Sequence, residues 1–320
     1  YNLLMNVYLA VDIGGTHMRA AVFPADGSIV PLAQKRIHTA SIDHTPADRL
    51  IRLLEELWPV GDSVLGIGAV APGYIDDRLG VIYDAPNIPG WVNFPLRDLL
   101  QERFHVPVVV GNDANLAALG EWRFGAGVGH SNLLYLTIST GIGGGVIIDN
   151  HLLTGSRGLA AELGHVTVLP GGPLCGCGHR GHLEALASGP AIARFVADEL
   201  AKGLPSTLLE SSRPTAQEIG LAAQRGDTLA QAAFTRAGTF IGYALADFLH
   251  IFNPSIVIFG GGVSQAGSLL LDPIRTGLEQ RIMSPEYTEN LIITTAALDD
   301  NAGLVGALAL AATTLGQEPC

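Results

Sequence analysis

Cysteine is scarce: three in 320 residues, two of them one residue apart at Cys175 and Cys177. That number and spacing cannot build a disulfide framework, so a reducing cytoplasm is the expected location. Positive charge is scarce too, with 18 Lys plus Arg against 30 Asp plus Glu and a formal net charge of −12. No basic run could track a phosphate backbone, and nucleic acid is not an expected partner. Long apolar runs are missing. The longest, around Val64 to Ile75 and Ala302 to Leu315, are short and broken by Gly and Ala, so neither reads as a membrane span, and no signal peptide is legible. No low-complexity linker interrupts the chain. What is present, 48% hydrophobic residues over this length, exceeds what a single core usually holds, and two domains are expected.

The order of patterns is informative. "VYLAVDIGGTHMRAAVF" reads as strand, glycine turn, strand; "PADRLIRLLEELW" has helical periodicity; "VLGIGAVAPG" is an apolar strand. "VPVVV" runs into "GNDANLAALGEW", whose Asn and Asp stand where a helix N-cap belongs. The first pattern then recurs in "NLLYLTISTGIGGGVIIDN", which predicts two related halves. "PSIVIFGGGVSQAG" is a further strand meeting a glycine turn, and "AGLVGALALAATTL" closes the chain as a helix.

Glycine turns at strand ends have a plain explanation in tight hairpins. Three of them, "DIGGT", "STGIGGG" and "FGGG", also look like a phosphate cradle, because backbone without Cβ can aim several N–H groups at one anion. The ligand implied is a nucleotide. A Walker P-loop is excluded, since no glycine precedes Lys and Ser or Thr at the required spacing, and the literal G-x-G-x-x-G from Gly176 to Gly181 does not lie between a strand and a helix. The segment from Gly164 to Glu184 gathers two cysteines and three histidines. Cys175 and Cys177, with His165 upstream and a fourth donor downstream, have the inventory of a closed tetrahedral zinc site. They lack the C-x-x-C spacing of a redox pair. Glu162 and His165 could share a helical face, and the Glu-x-x-His of di-iron bundles lacks a second copy here.

Taken in order, these motifs resemble the ROK sugar kinases of the hexokinase and actin-like superfamily. "DIGGTHMRAAVF" is similar to that family's first phosphate motif, "APNIPGW" to its sugar loop and "GNDAN" to its catalytic turn. "LTISTGIGGGVIIDNHLLTGSRGLAAELGH" resembles its long signature and "CGCGHRGHLEALASGPAI" its metal knuckle. The resemblance implies an α/β, two-domain actin-like ATPase fold, ribonuclease H-like in each half, with an interdomain cleft that closes on sugar and ATP. The small domain is expected over 1–112 plus 303–320 and the large domain, carrying the knuckle, over 113–302.

The same resemblance implies roles. Asp113 is the expected general base, set against the alternative that Asp113 or Asn112 merely caps a helix. Asn87, Asn112, Asp113, Glu162, His165 and Glu184 are expected around the hexose, an inventory suited to a ring of hydroxyls. Asp12 is expected to hold the Mg²⁺ of Mg-ATP through water, against the alternative of an aspartate that stabilises its turn. Gly14, Gly15, Thr16, Thr140 and Gly141 are expected at the phosphates, with Gly261 and Gly262 near the adenosine. His165, Cys175 and Cys177 are expected to bind zinc. The family's usual third cysteine is replaced by His182, preferred as fourth ligand over His179 because it keeps the family position. The expectation is an ATP-dependent kinase for glucose, or for N-acetylmannosamine, N-acetylglucosamine or fructose. A sugar-sensing repressor would carry a helix-turn-helix domain ahead of the core, whereas here the first phosphate strand comes early and the catalytic Asp is present. A homodimer or dimer of dimers is implied.

Overall fold

Strand β1 (Asn6–Ile13) is apolar at nearly every position because both its faces are covered. The computed structural model describes residues 5–209 and 213–316, so the ends of the expected small domain, 1–4 and 317–320, lie outside the described residues. β1 turns back into β2 (His17–Pro24), followed by β3 (Ala33–His38), α1 (Pro46–Leu57), β4 (Ser63–Ala71), β5 (Tyr74–Asp76), β6 (Val81–Asp84), β7 (Val92–Phe94), α2 (Leu96–Phe104), β8 (Val108–Asn112) and α3 (Asp113–Phe124). The second half runs through β9 (Leu133–Ile138), β10 (Ile142–Ile148), β11 (His151–Leu152), α4 (Leu183–Ala187), α5 (Gly189–Ala201), α6 (Ala216–Gln224), α7 (Thr228–Phe252), β12 (Ile256–Gly260), α8 (Ser268–Glu279) and β13 (Ile292–Thr295), and α9 (Ala302–Leu315) follows.

The expected repetition is present in the topology. One five-stranded sheet has the order β3-β2-β1-β4-β8 and the other β11-β10-β9-β12-β13, with a small sheet β5-β6-β7 besides. In each large sheet an antiparallel hairpin, β1–β2 or β9–β10, pairs with a parallel strand, β4 or β12.

In the first sheet, alternate residues of β1 enter separate cores. Val7, Leu9, Val11 and Ile13 pack with Leu50, Leu53 and Leu54 of α1 and Leu96 and Leu100 of α2, while Tyr8 and Ala10 pack with Leu116 and Leu119 of α3 and Leu304, Ala307 and Leu308 of α9. α1 starts where its sequence dictates: Thr45 and Asp48 form a reciprocal capping box and Pro46 occupies the first turn.

The compact units divide elsewhere than at Asn112. Among the described residues, one comprises 5–129, 152–161 and 297–316, and the other 130–151, 162–209 and 213–296. α3 stays with the first unit because its apolar face shares a core with α9. Glu121 of α3, fully buried, accepts hydrogen bonds from the N–H groups of Ala126 at 2.8 Å, Ala297 at 2.9 Å and Leu298 at 2.8 Å. Residues 152–161 join the same unit through Gly158, packed on Ile75 and Asp77, and Gly155, whose carbonyl accepts from Arg78 at 3.5 Å.

Replacing Glu121 with Ala strands three N–H groups in the interior. The expected loss is about 3 kcal/mol of stability, with a smaller loss for Glu121→Gln, which keeps one acceptor; urea unfolding of the two variants beside wild type measures both.

Candidate active site

Parallel pairing sets what stands at the edge of the first sheet. Asp12 is in register with Val70 of β4, and Val70 and Ala71 are in register with Gly111 and Asn112 of β8. β1 and β8 therefore end at one edge, two strand spacings or about 10 Å apart, where open α/β sheets receive ligands. Gly14, Gly15 and Thr16 form the turn beyond β1: the Gly14 N–H donates to the His17 carbonyl at 2.8 Å. Thr39, buried, fastens this turn through its hydroxyl to the Gly14 carbonyl at 2.5 Å and its N–H to the Thr16 carbonyl at 2.9 Å. Gly15 lies directly against Asn87; a methyl group there would stand 2.8 Å from the Asn87 Cβ, so glycine lets the two loops touch. Asn87 itself is exposed, in a loop anchored by buried Ile88 and Trp91.

Asp12 is paired with its cross-strand neighbour Arg19, Nη2 to Oδ2 at 2.5 Å. At the end of β8, Asn112 takes the capping role. Its Oδ1 accepts the N–H groups of Ala114 at 3.0 Å and Asn115 at 3.3 Å, and its Nδ2 donates to the Gly73 carbonyl at 3.1 Å. Asp113 is the first residue of α3 and exposed, with Oδ1 accepting the Ala114 N–H at 2.8 Å.

The second unit gathers the other sugar candidates and the cysteines. Glu162 precedes and His165 ends a single 3₁₀ turn, Leu163–His165, and the two do not lie on an α-helical face; the His165 N–H donates to the Glu162 carbonyl at 3.0 Å and the side chains stand 3.9 Å apart. Residues at i and i+3 eclipse in such a turn, which serves the same end. Burial pushes the Glu162 carboxyl up, opposed by His165 and reinforced by Glu184.

His165, Cys175, Cys177 and His182 converge, with their ligand atoms all within 4.8 Å of one another. His165 Nδ1 lies 3.7 Å from Cys175 Sγ and His182 Nδ1 lies 3.2 Å from Cys177 Sγ. The backbone builds this knuckle: Cys175 N–H donates to His179 at 2.7 Å, Gly178 N–H to Cys175 at 3.0 Å and Leu183 N–H to Val166 at 3.0 Å. Thr167 and His182 are joined by a β-bridge, while His179 is exposed outside the cluster. Burial pushes the Cys175 thiol up to about 11, and burial with the neighbouring His165 and His179 holds His182 towards its neutral form. Two sulfurs and two imidazoles suit a tetrahedral zinc ion, which would bind the thiols as thiolates.

Thr140 and Gly262 line a cavity of about 770 Å³ in this unit, together with Ser139, Gly189, Thr215, Gln217, Phe234 and Gln265. Gly261, leaving β12 with φ of 82°, precedes it. Gly141 adjoins Glu184, whose Oε2 accepts the Ile142 N–H at 3.1 Å and whose Oε1 lies 3.5 Å from Cys175 Sγ. Sequence reasoning missed Thr39 and the α6 wall of the cavity. Nothing local singles out Thr39, 25 residues from its partner. The Thr215–Glu218 capping box that starts α6 was legible as T-x-x-E.

The sequence model described as the ROK family matches residues 8–314. A glucokinase of Thermotoga maritima is 38% identical over 316 residues, covering 96% of this chain and 98% of that one. A solved ROK family glucokinase of Streptomyces griseus, in complex with glucose and AMPPNP, superposes with a TM-score of 0.79 at 38% identity, over 95% of this chain and 98% of that one. A ROK family transcriptional regulator, a homologue of the E. coli MLC protein, gives a TM-score of 0.88 at 28% identity, over 98% of this chain and 80% of that one.

The cluster's geometry separates the two downstream histidines. His182→Ala is expected to weaken Co²⁺ binding by more than the roughly 10–100-fold that loss of an outer partner costs, and His179→Ala to leave it unchanged; the visible spectrum of the Co²⁺-loaded protein reports both.

Proposed function

As the chain belongs to the ROK family, we propose that it transfers the γ-phosphoryl group of Mg-ATP to a hexose, with glucose as the substrate and its 6-hydroxyl as acceptor. The observation that carries this reading is the division of labour at the start of α3. Asn112 caps the helix through Ala114 and Asn115, and the neighbouring Asp113, one oxygen of which shares the Ala114 N–H, stands exposed at the carboxyl edge of the sheet. The hydroxyl oxygen attacks the γ-phosphorus, its proton passes to Asp113, and ADP leaves.

The other residues bind and orient. Asn87 and Asn112 offer amide donors, while Glu162, His165 and Glu184 offer acceptors and a ring nitrogen to the sugar hydroxyls. Gly14, Gly15 and Thr16, with Thr140 and Gly141, are assigned to the phosphates through backbone N–H groups other than that of Gly14, which is spent on the His17 carbonyl, and Gly261 and Gly262 to the adenosine. Mg²⁺, bound with ATP, supplies neutralisation of phosphate charge; Asp12, a hard oxygen donor beside the first turn, suits a contact to it through water. Zinc at His165, Cys175, Cys177 and His182 is structural. With His165 Nδ1 facing Cys175 and Nε2 on the Glu162 side, the knuckle orients a sugar ligand without touching phosphate.

Glucose is favoured over N-acetylmannosamine, N-acetylglucosamine and fructose by the glucokinases at 38% identity over nearly the whole chain and by the Glu162, His165 and Glu184 set. The regulator reading, which the structural likeness to a ROK transcriptional regulator keeps in view, is disfavoured because Asp113 is present. Family resemblance supports a homodimer or dimer of dimers, and cysteine usage a cytoplasmic site of action. Among the described residues no helix is long and apolar enough to cross a membrane.

ADP release with Mg-ATP across hexoses and N-acetylhexosamines should show the highest kcat/KM for glucose; preference for an acetamido sugar overturns that assignment. Asp113→Asn keeps the shape but loses the base. Its kcat is expected to fall about 100- to 10,000-fold while glucose binding persists, and near-normal turnover would remove Asp113 from the mechanism.

A further inference from the structure

Glu184 stands at a junction that sugar binding alone does not explain. Its Oε2 accepts the Ile142 N–H at 3.1 Å, next to the Thr140–Gly141 turn, and a methyl group at Gly141 would lie 2.5 Å from that oxygen. Its Oε1 lies 3.5 Å from Cys175 Sγ. The far end of the turn is tied to the same stretch of chain: the Ser188 N–H donates to the Glu184 carbonyl at 3.2 Å, and the next residue, Gly189, donates its N–H to the Ser139 carbonyl at 2.8 Å. Side chain and backbone thus grip the turn at both ends.

α4, which carries Glu184, is itself anchored. Its closing carbonyls, left without helical partners by its shortness, accept from arginines of two other helices: Ala185 from Arg194 Nη2 at 2.6 Å and Leu186 from Arg236 Nη1 at 3.0 Å. Arg236 is held in turn between the rings of Phe195 and Phe240, 5.1 and 5.0 Å from their centroids. A shift of α4 therefore has few directions open to it, and a shift of the Glu184 carboxylate moves the turn.

We propose that Glu184 is a positioning residue for the nucleotide's phosphate turn, so that sugar affinity and nucleotide affinity are coupled through one carboxylate within this unit. The proposal rests on the kinase reading, in which Glu184 meets the sugar and Thr140–Gly141 meets ATP. Because one carboxylate serves both places, whatever displaces Glu184 weakens both ligands, each measured without the other.

Two cross-site measurements test it on the zinc-loaded protein by calorimetry. Gly141→Ala, a change in the nucleotide turn, is expected to weaken glucose binding about tenfold with no nucleotide present, the cost of one lost charge-assisted hydrogen bond. Glu184→Ala, a change at the sugar, is expected to weaken Mg-AMPPNP binding by a similar factor with no sugar present. Glu184→Gln, which keeps an acceptor for the Ile142 N–H, restores AMPPNP affinity while glucose affinity stays reduced. Unchanged AMPPNP affinity in Glu184→Ala overturns the proposal whether or not Gly141→Ala folds, as does failure of Glu184→Gln to restore it. Wild-type protein that binds AMPPNP but not glucose defeats the sugar assignment and leaves the two Glu184 variants decisive; wild type that binds neither defeats both readings.

Discussion

Each large sheet shares one central strand between an antiparallel hairpin and a parallel neighbour, and the placement of functional groups follows from that. Because β4 runs parallel to β1 and β8 parallel to β4, the hairpin turn Gly14–Thr16 and the strand end at Asn112–Asp113 must emerge on one edge. The same pairing of β9 with β10 and β12 brings Thr140–Gly141 and Gly261–Gly262 to one edge of the second sheet. The turns are thus consequences of topology before any ligand is considered. Backbone N–H groups clustered at such an edge, with no Cβ in the way, suit phosphate.

Three carboxylates show how burial assigns different work to one functional group. Glu121, fully buried with three backbone donors, is spent on joining α3 to the segment before α9. Asp113, exposed at a helix start, accepts the Ala114 N–H with one oxygen and is the carboxylate proposed to meet a substrate. Glu184 lies between these extremes, with one oxygen on the Ile142 N–H and the other facing Cys175, and so can serve a ligand and the fold together. Their identities alone do not separate these roles; desolvation and the number of donors do.

The knuckle depends on backbone geometry as much as on its donors. The Cys175–Gly178 turn and the Thr167–His182 bridge fold the chain back so that His165 and His182 approach the two sulfurs. His179 is spent differently: its carbonyl takes the Cys175 N–H, and its ring remains exposed outside the cluster. The sulfurs lack the C-x-x-C spacing of a redox pair and converge with two imidazoles, which fits a structural centre better than a reactive one.

Much of this was legible along the chain because it is local. Strand alternation, the glycine turns, the Asn112 cap and the Pro46 helix start depend on residues within a few positions of one another, and the recurrence of strand, turn and strand predicted two related halves, which the two sheets display. What lay beyond reach was non-local. The division between units falls past α3 because its core is completed by α9, nearly two hundred residues later in sequence; Thr39 closes the first turn from a different strand end; and Glu184 meets Ile142 across 42 positions. Residue types and short spacings determine which chemistry is available. Which donors meet which acceptors is decided only when burial brings distant segments into register, since a hydrogen bond carries no trace in the sequence between its partners.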